Sequence, residues 1–289
     1  MLSSTLQMTS SPQLISVAYS MAAVLCWGTS DFTGGYASKR SDAFLVTSLA
    51  HASGFVLMTS LALARHSIFP GRSSQIWAFA AGALGGTALA IFYRALAGGK
   101  MGLSAPLAAI LAAAIPTGFT LATQGAPGPV PIIGFLTAGI GIWLIARPDG
   151  GAQSHDGLWL AFIAGLGFAG FFLCINQTGN SSAVWSAAFS RVGSLVMVGA
   201  IVALRRGRHA LRWQDAMLGL FAGALDSSGT LFFIRADQTG RLDAAVVLTS
   251  LYPAVTVLLA RLFLKEHFSR WKAIGILAAL AAVPMIALQ

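Results

Sequence analysis

Apolar runs of about 20 residues follow one another along almost the whole chain, separated by short polar segments. A helix rises about 1.5 Å per residue, so about 20 residues cross the roughly 30 Å hydrocarbon core of a bilayer. Only 9% of the 289 residues are charged, against about 25% in typical soluble domains. The sequence therefore predicts an all-α integral membrane protein of ten transmembrane helices. The predicted spans are 14–36, 43–64, 76–97, 103–123, 130–146, 157–177, 183–204, 213–236, 242–263 and 271–287.

The second half of the sequence aligns with the first half at one constant offset, the offset that aligns Gly223 with Gly82. The matching segments are Gly82-Ala83-Leu84 with Gly223-Ala224-Leu225, Arg94-Ala95 with Arg235-Ala236, Gly99-Lys100 with Gly240-Arg241, and Ile133-Gly134 with Ile274-Gly275. Separate matches that share one offset, which we call the repeat offset, indicate an internal duplication. We expect a first repeat over residues 1–147 and a second over 156–289.

Each predicted repeat holds five spans, which is an odd number. The second repeat must therefore enter the membrane from the opposite side. Inverted repeats are typical of secondary transporters, in which the substrate binds near the middle of the bilayer between the two halves. The fold class that we predict is thus two inverted five-helix repeats.

Lys and Arg are concentrated in the loops on one side of this topology. Side B is the side that holds both termini, and side A is the opposite one. Four basic residues fall on side B and eleven on side A. Cytoplasmic loops carry the excess of Lys and Arg, so this bias places side A in the cytoplasm and both termini outside.

Several function classes find no support in the sequence. The net charge of +9 comes from loops rather than from a basic face with interleaved aromatic residues, so we expect no nucleic-acid partner. No phosphate-binding loop, metal-ligand spacing or nucleophile–base arrangement is visible. We therefore predict that the protein is not an enzyme and holds no metal or other cofactor.

Three segments carry a family resemblance: residues 27–35 (WGTSDFTGG), 93–96 (YRAL) and 250–256 (SLYPAVT) followed by Leu264-Lys265-Glu266. Their order and spacing resemble the drug/metabolite transporter superfamily, EamA type. The resemblance implies a ten-helix carrier of the bacterial inner membrane, often an exporter of amino acids or related metabolites. We expect the carrier to be a monomer. It implies a cavity between helices 1–4 and 6–9, and it implies cytoplasmic termini, against the charge bias.

Few ionisable residues lie deep inside the predicted spans, and the candidates are Asp31, His51, Arg191 and Asp226. A charge in hydrocarbon costs at least about 2.5–3.5 kcal/mol, so each is a functional candidate. By depth, Asp31 could meet His51, and Asp226 could meet Arg191. These pairs would couple a proton or bind a charged substrate, or they would only lock helices together.

Aromatic residues in the spans that the resemblance places around the cavity form a second group of candidates. The substrate-binding candidates are Trp27, Tyr93, Phe168, Phe172 and Tyr252, together with Arg191 and Asp226. Aromatic walls with a few polar groups suit a small organic ligand. The alternative is that these rings face lipid or a neighbouring helix.

Two prolines are candidates for gating. Pro116 lies in span 4 and Pro253 in span 9. Proline removes a backbone donor and kinks a helix, and kinks in matching places of two repeats would indicate a site or a gate. A static bend is the alternative for both.

The function predicted is secondary-active, alternating-access export of a small metabolite, such as an aromatic or other apolar amino acid. The alternatives are a passive facilitator or channel, and an exporter of cationic drugs. A membrane-embedded enzyme that acts on lipid is disfavoured, since the acidic residues do not converge.

Overall fold

The computed structural model describes residues 12–98, 101–145, 147, 155–205, 211–265 and 269–288. Within these ranges all regular secondary structure is α-helical. The helices are α1 (Pro12–Ser38), α2 (Ala43–Ala64), α3 (Arg72–Gly98), α4 (Met101–Gln124), α5 (Pro129–Ile145), α6 (His155–Asn176), α7 (Ala183–Leu204), α8 (Trp213–Thr239), α9 (Leu242–Thr249), α10 (Tyr252–Leu264) and α11 (Arg270–Ile286).

Among the described residues, seven helical segments are long and apolar enough to cross a membrane, by length and composition. One of them, Leu242–Leu264, combines α9 and α10, and α5 is a shorter apolar helix. With α1 and the 17-residue α11, they make ten membrane passes. The all-α membrane fold predicted from the sequence is confirmed.

The helix bounds repeat with the offset seen in the sequence. The repeat offset carries both ends of α3 onto those of α8, and both ends of α5 onto those of α11. Helix α4 corresponds in the same way to α9 and α10 taken together. The residues of the two halves thus fold into the same series of elements.

Two hydrogen bonds show that equivalent helices run in opposite directions. The Ser16 hydroxyl, near the start of α1, donates to the carbonyl of Ala236 at 2.8 Å. The Asn176 amide, at the end of α6, donates to the Asp237 carboxylate at 3.1 Å. Because Ala236 and Asp237 are neighbours at the end of α8, the start of α1 and the end of α6 lie on the same side. The halves are inverted.

The ninth pass is broken in its middle. Helix α9 ends at Thr249 and α10 begins at Tyr252, with Pro253 in the first turn of α10. Pro253 has no backbone N–H and disfavours a helical residue before it, so the chain restarts its helix there. Helix α4 runs without interruption through Pro116. The break in the ninth pass therefore has no counterpart in the equivalent helix α4.

Glycines let helices of opposite halves approach closely. A Cβ on Gly82 of α3 would overlap the backbone carbonyl of Ser190 in α7, and a Cβ on Gly223 of α8 would overlap that of Ala50 in α2. The contact of α3 with α7 is therefore the counterpart of the contact of α8 with α2. Small residues have this role in membrane helix packing, because they bring backbones into van der Waals contact.

Polar contacts join the two halves at both sides of the molecule. On side A, the Arg40 guanidinium and the Ser41 hydroxyl both donate to the carboxylate of Asp215 at the start of α8. On side B, the hydroxyl oxygens of Ser74 and Ser181 lie 2.6 Å apart. The repeat offset places Asp215 on Ser74 and Ser181 on Arg40, so these are the same contact in the two halves. We call them the side A latch and the side B latch.

Candidate substrate cavity

A cavity lies between the two halves at the middle of the helices. It holds about 580 Å³ of empty space, including the part that opens to the outside. Helices α5 and α11 contribute no lining residue. The lining consists of Trp27, Asp31, Gly82, Gly85, Gly86, Leu89, Ala112, Phe168, Phe171, Phe172, Ser190, Arg191, Ser194, Asp226, Thr230 and Tyr252.

Equivalent positions of the two halves form much of this wall. The repeat offset relates four pairs of lining residues: Trp27 and Phe168, Asp31 and Phe172, Gly85 and Asp226, and Leu89 and Thr230. The cavity therefore lies around the axis that relates the halves. In two of the pairs one member is an acidic residue and the other is uncharged, so the lining is less symmetric than the backbone.

Arg191 is the centre of a buried polar cluster. Its Nη1 donates to the carboxylate of Asp226 and its Nη2 donates to the hydroxyl of Thr230. Arg191 is 5% exposed and Asp226 8%. Because Asp226 and Thr230 are four residues apart on α8, they lie on one helix face and bind the two ends of the same guanidinium group. The ion pair expected between Arg191 and Asp226 is present.

His51 contacts this cluster from behind the cavity wall. Its Nδ1 lies 3.3 Å from Nη1 of Arg191, and its Nε2 lies 3.5 Å from the carbonyl oxygen of Gly86. Arginine can only donate, so Nδ1 accepts and the ring proton is on Nε2, facing the carbonyl. His51 is thus a neutral residue that positions Arg191, and its contacts do not include Asp31.

Asp31 faces the cavity from α1. It is 6% exposed and lines the cavity wall. Within the part of the chain that the structure describes, its carboxylate has no hydrogen-bond or ion-pair partner. A buried carboxylate in this situation is unusual, since buried charges are nearly always paired.

Trp27 lies one helical turn before Asp31 and anchors an aromatic wall. Its indole Nε1 donates to the backbone carbonyl of Asp226 at 3.1 Å. Its ring lies 5.9 Å from that of Phe172 and 5.8 Å from that of Phe233, between centroids. The hydrogen bond and the two ring contacts join α1 to α6 and α8, so the aromatic wall bridges the two halves.

Comparison with known proteins supports the family. Residues 155–288 match the EamA-like transporter family. The match covers the second half of the chain. A comparison with curated proteins gives no match. A solved crystal structure matches with a TM-score of 0.70 at 18% sequence identity, over 94% of this chain and 96% of that chain. At this identity the likeness establishes a shared fold alone.

Tyr93 lies behind the cavity wall rather than in it. Its side chain is fully buried, and its hydroxyl contacts the Ser30 hydroxyl at 3.1 Å and donates to the Ser30 carbonyl at 3.2 Å. A Cβ on Gly34 would overlap the tyrosine ring. Tyr93 therefore fixes α1 against α3 and does not reach the cavity.

Tyr252 does reach the cavity, because the break before α10 places it there. It starts α10, and its ring lies 6.5 Å from that of Phe92. Its hydroxyl is buried with no hydrogen-bond partner in the described structure.

Pro253, the next residue, is buried and does not line the cavity, and neither does Pro116. Glu266, which belongs to the resembling motif, lies outside the described residues.

Several residues that line the cavity were not predicted from the sequence. Phe171, Ser190, Ser194 and Thr230 all face the cavity. Thr230 could have been found, because it lies one helical turn after Asp226. Ser194 donates to the carbonyl of Gly82 at 2.9 Å, which ties α7 to α3 beside Arg191.

Proposed function

We propose that this protein is an EamA-like, secondary-active carrier that works by alternating access and exports a small metabolite with an apolar or aromatic body. Aromatic and other apolar amino acids are the first class to test, and the bacterial inner membrane is the proposed location. The observation that carries the proposal is the cavity at the middle of the helices, lined by equivalent positions of two inverted halves. Inverted repeats around a central site are the usual basis of alternating access.

The latches support the conformational part of this proposal. Each latch joins a loop of one half to a helix start of the other half, one on side A and one on side B. Both latches are closed in this structure, and because the halves are inverted copies, a rocking motion can separate one latch while the other stays closed. Such a motion exposes a central cavity to the two sides in turn.

The lining supports the class of substrate. Trp27, Phe168, Phe172 and Tyr252 provide aromatic surface, and Asp31 and the Arg191–Asp226 pair provide a few polar groups. Small-molecule sites generally have this composition, in which apolar walls give affinity and few polar groups fix the orientation.

Uptake and counterflow in proteoliposomes test the proposal. We expect labelled aromatic or apolar amino acid to enter faster when unlabelled amino acid is present on the far side, because a carrier returns more quickly when loaded. A channel shows no such acceleration. The absence of flux with every one of these amino acids would refute the substrate class.

A pair of variants separates transport through the cavity from leakage. Ala112→Trp fills the cavity wall, since Ala112 lines it, and we expect it to abolish counterflow. Gly118→Ala in the same helix is the control, because a Cβ there has no atom within 4 Å. Equal flux through both variants would show that the cavity is not the route.

A further inference from the structure

The charges that line the cavity do not balance. Three charged side chains line it in the described structure: Asp31, Arg191 and Asp226. Arg191 and Asp226 form an ion pair and cancel. His51, which accepts from Arg191, adds no charge. The carboxylate of Asp31, in its ionised form, is therefore the one lining charge without a counterion among the described residues.

A single negative charge between apolar helices needs a positive partner, either a proton or a cation. Among the described residues no Lys, Arg or His contacts the Asp31 carboxylate, so the partner must come from outside the fold. Trp27 lies one turn before Asp31 on α1, and Phe172 and Tyr252 also line the cavity. The faces of aromatic rings attract cations, so carboxylate and walls favour the same kind of ligand.

A negatively charged group of a ligand has no comparable binding position in the cavity. Nη1 of Arg191 is engaged by Asp226 and His51, and Nη2 by Thr230. Its Nε is buried, without solvent contact or a partner in the described structure. The break at residues 250–251 brings the carbonyl end of α9 beside the amide end of α10, and their opposite partial charges offset each other. A ligand carboxylate would thus have to displace Asp226.

We propose that the cavity recognises its cargo by a positively charged amino group, which binds the carboxylate of Asp31 between the aromatic walls, and that a cargo carboxylate is not required. This inference rests on the proposed transport function and narrows its substrate class to amines. An amine cation cancels the charge of Asp31. A zwitterionic amino acid leaves the loaded cavity negative, so its amide or its decarboxylated analogue binds more tightly.

A matched series of four compounds tests the inference: phenylalanine, phenylalaninamide, 2-phenylethylamine and 3-phenylpropanoate. All carry the same ring and differ in their charged groups. Binding is measured by isothermal titration and by the shift in melting temperature, since a ligand that binds only the folded state stabilises it. We expect the amide and the amine to bind about tenfold to a hundredfold more tightly than phenylalanine, because phenylalanine leaves one buried negative charge without a partner. We expect no binding of phenylpropanoate.

Two variants assign the preference to one residue. Asp31→Asn keeps the size and removes the charge, and should remove the preference for the amine. Asp31→Glu keeps the charge and should retain it. The melting temperature of each variant without ligand shows that it is folded.

The possible outcomes separate the inference from the proposed function. Binding of phenylpropanoate as tight as that of the amine, or an amine preference that persists in Asp31→Asn, overturns the inference and leaves transport intact. Amine binding that depends on Asp31, without flux in proteoliposomes, supports the inference and refutes transport. If the unaltered protein binds none of the four compounds, both are wrong.

Discussion

Arg40 donates two hydrogen bonds to Oδ1 of Asp215, from Nε at 3.1 Å and from Nη2 at 2.5 Å. Asp215 is fully buried beneath the guanidinium. At the equivalent positions on side B, Ser181 and Ser74 make one contact between hydroxyl groups. The two sides of the protein are thus closed by equivalent contacts, an ion pair on side A and a contact between hydroxyl groups on side B.

Weakening the side A latch should open side A. Asp215→Ser copies the residue of the side B latch. It replaces the two hydrogen bonds from Arg40 to a carboxylate by at most one to a hydroxyl. Since a hydrogen bond to a charged group contributes about 1.5–3 kcal/mol, we expect the side A-open state to gain about tenfold in population. The measurement is the rate at which an impermeant thiol reagent, added on side A, labels Ala112→Cys in a background without Cys26 and Cys174.

Ser74→Ala is the matched control for this experiment. It removes the neutral contact on side B and should leave labelling from side A unchanged or slower. If Asp215→Ser and the unaltered latch gave the same labelling rate from side A, the ion pair would not control access on that side.

Removing Arg191 should destabilise the protein through the charge that it leaves behind. Arg191→Met leaves Asp226 buried and without its ion-pair partner, which costs about 3–5 kcal/mol. Adding Asp226→Asn removes the orphaned charge, so the double variant should recover part of this loss. Thermal unfolding in detergent compares the three proteins, and a double variant no more stable than the single one would contradict the account.

Adding one methyl group to a glycine should lower stability where two helices are in close contact, and should not lower it where the glycine has no neighbour. Gly223→Ala forces a Cβ into the carbonyl of Ala50, and overpacking of this kind costs about 1–3 kcal/mol. Gly199→Ala in α7 has no atom within 4 Å of the new Cβ, and alanine favours helix by up to about 1 kcal/mol over glycine. We therefore expect Gly223→Ala to lower the melting temperature and Gly199→Ala to leave it unchanged or raise it.

Tyr252→Phe should separate stability from binding. The Tyr252 hydroxyl is buried without a partner in the described structure, and an unsatisfied polar group costs about 1–3 kcal/mol. The phenylalanine variant should therefore melt at a higher temperature than the unaltered protein. It should leave cargo binding unchanged, because the hydroxyl has no solvent contact in the cavity wall. A variant that melted no higher, or that bound cargo more weakly, would contradict this account of the hydroxyl.

The helices and their repeat could be predicted because they depend on local patterns. Length and apolarity define the spans, and the repeat offset is visible in the sequence itself. Span 3 was predicted over 76–97 and is found at Arg72–Gly98. The break at 250–251 could not be predicted with the same certainty. Pro116 and Pro253 carry the same local signal, and only the packing around each decides whether the helix continues.

The candidate site was predictable in its charges and less so in its aromatic residues. Few ionisable groups occur in the spans, and helical depth alone suggested that Arg191 and Asp226 could meet. Tyr93 and Trp27 were equal candidates, since a membrane helix that is apolar all round gives no sign of which face looks inward. The structure brings Trp27 to the cavity and places Tyr93 behind it.

The unlike pairs of the cavity lining have a consequence for how cargo moves. Asp31 and Phe172 occupy equivalent positions on opposite sides of the axis that relates the halves. When the two halves exchange conformations during transport, the backbone returns to an equivalent arrangement. The position on α6 that is equivalent to Asp31 still carries Phe172 and no carboxylate. A cargo cation held by Asp31 is therefore never handed from one anchor to another. It pivots on α1 while the walls around it change places.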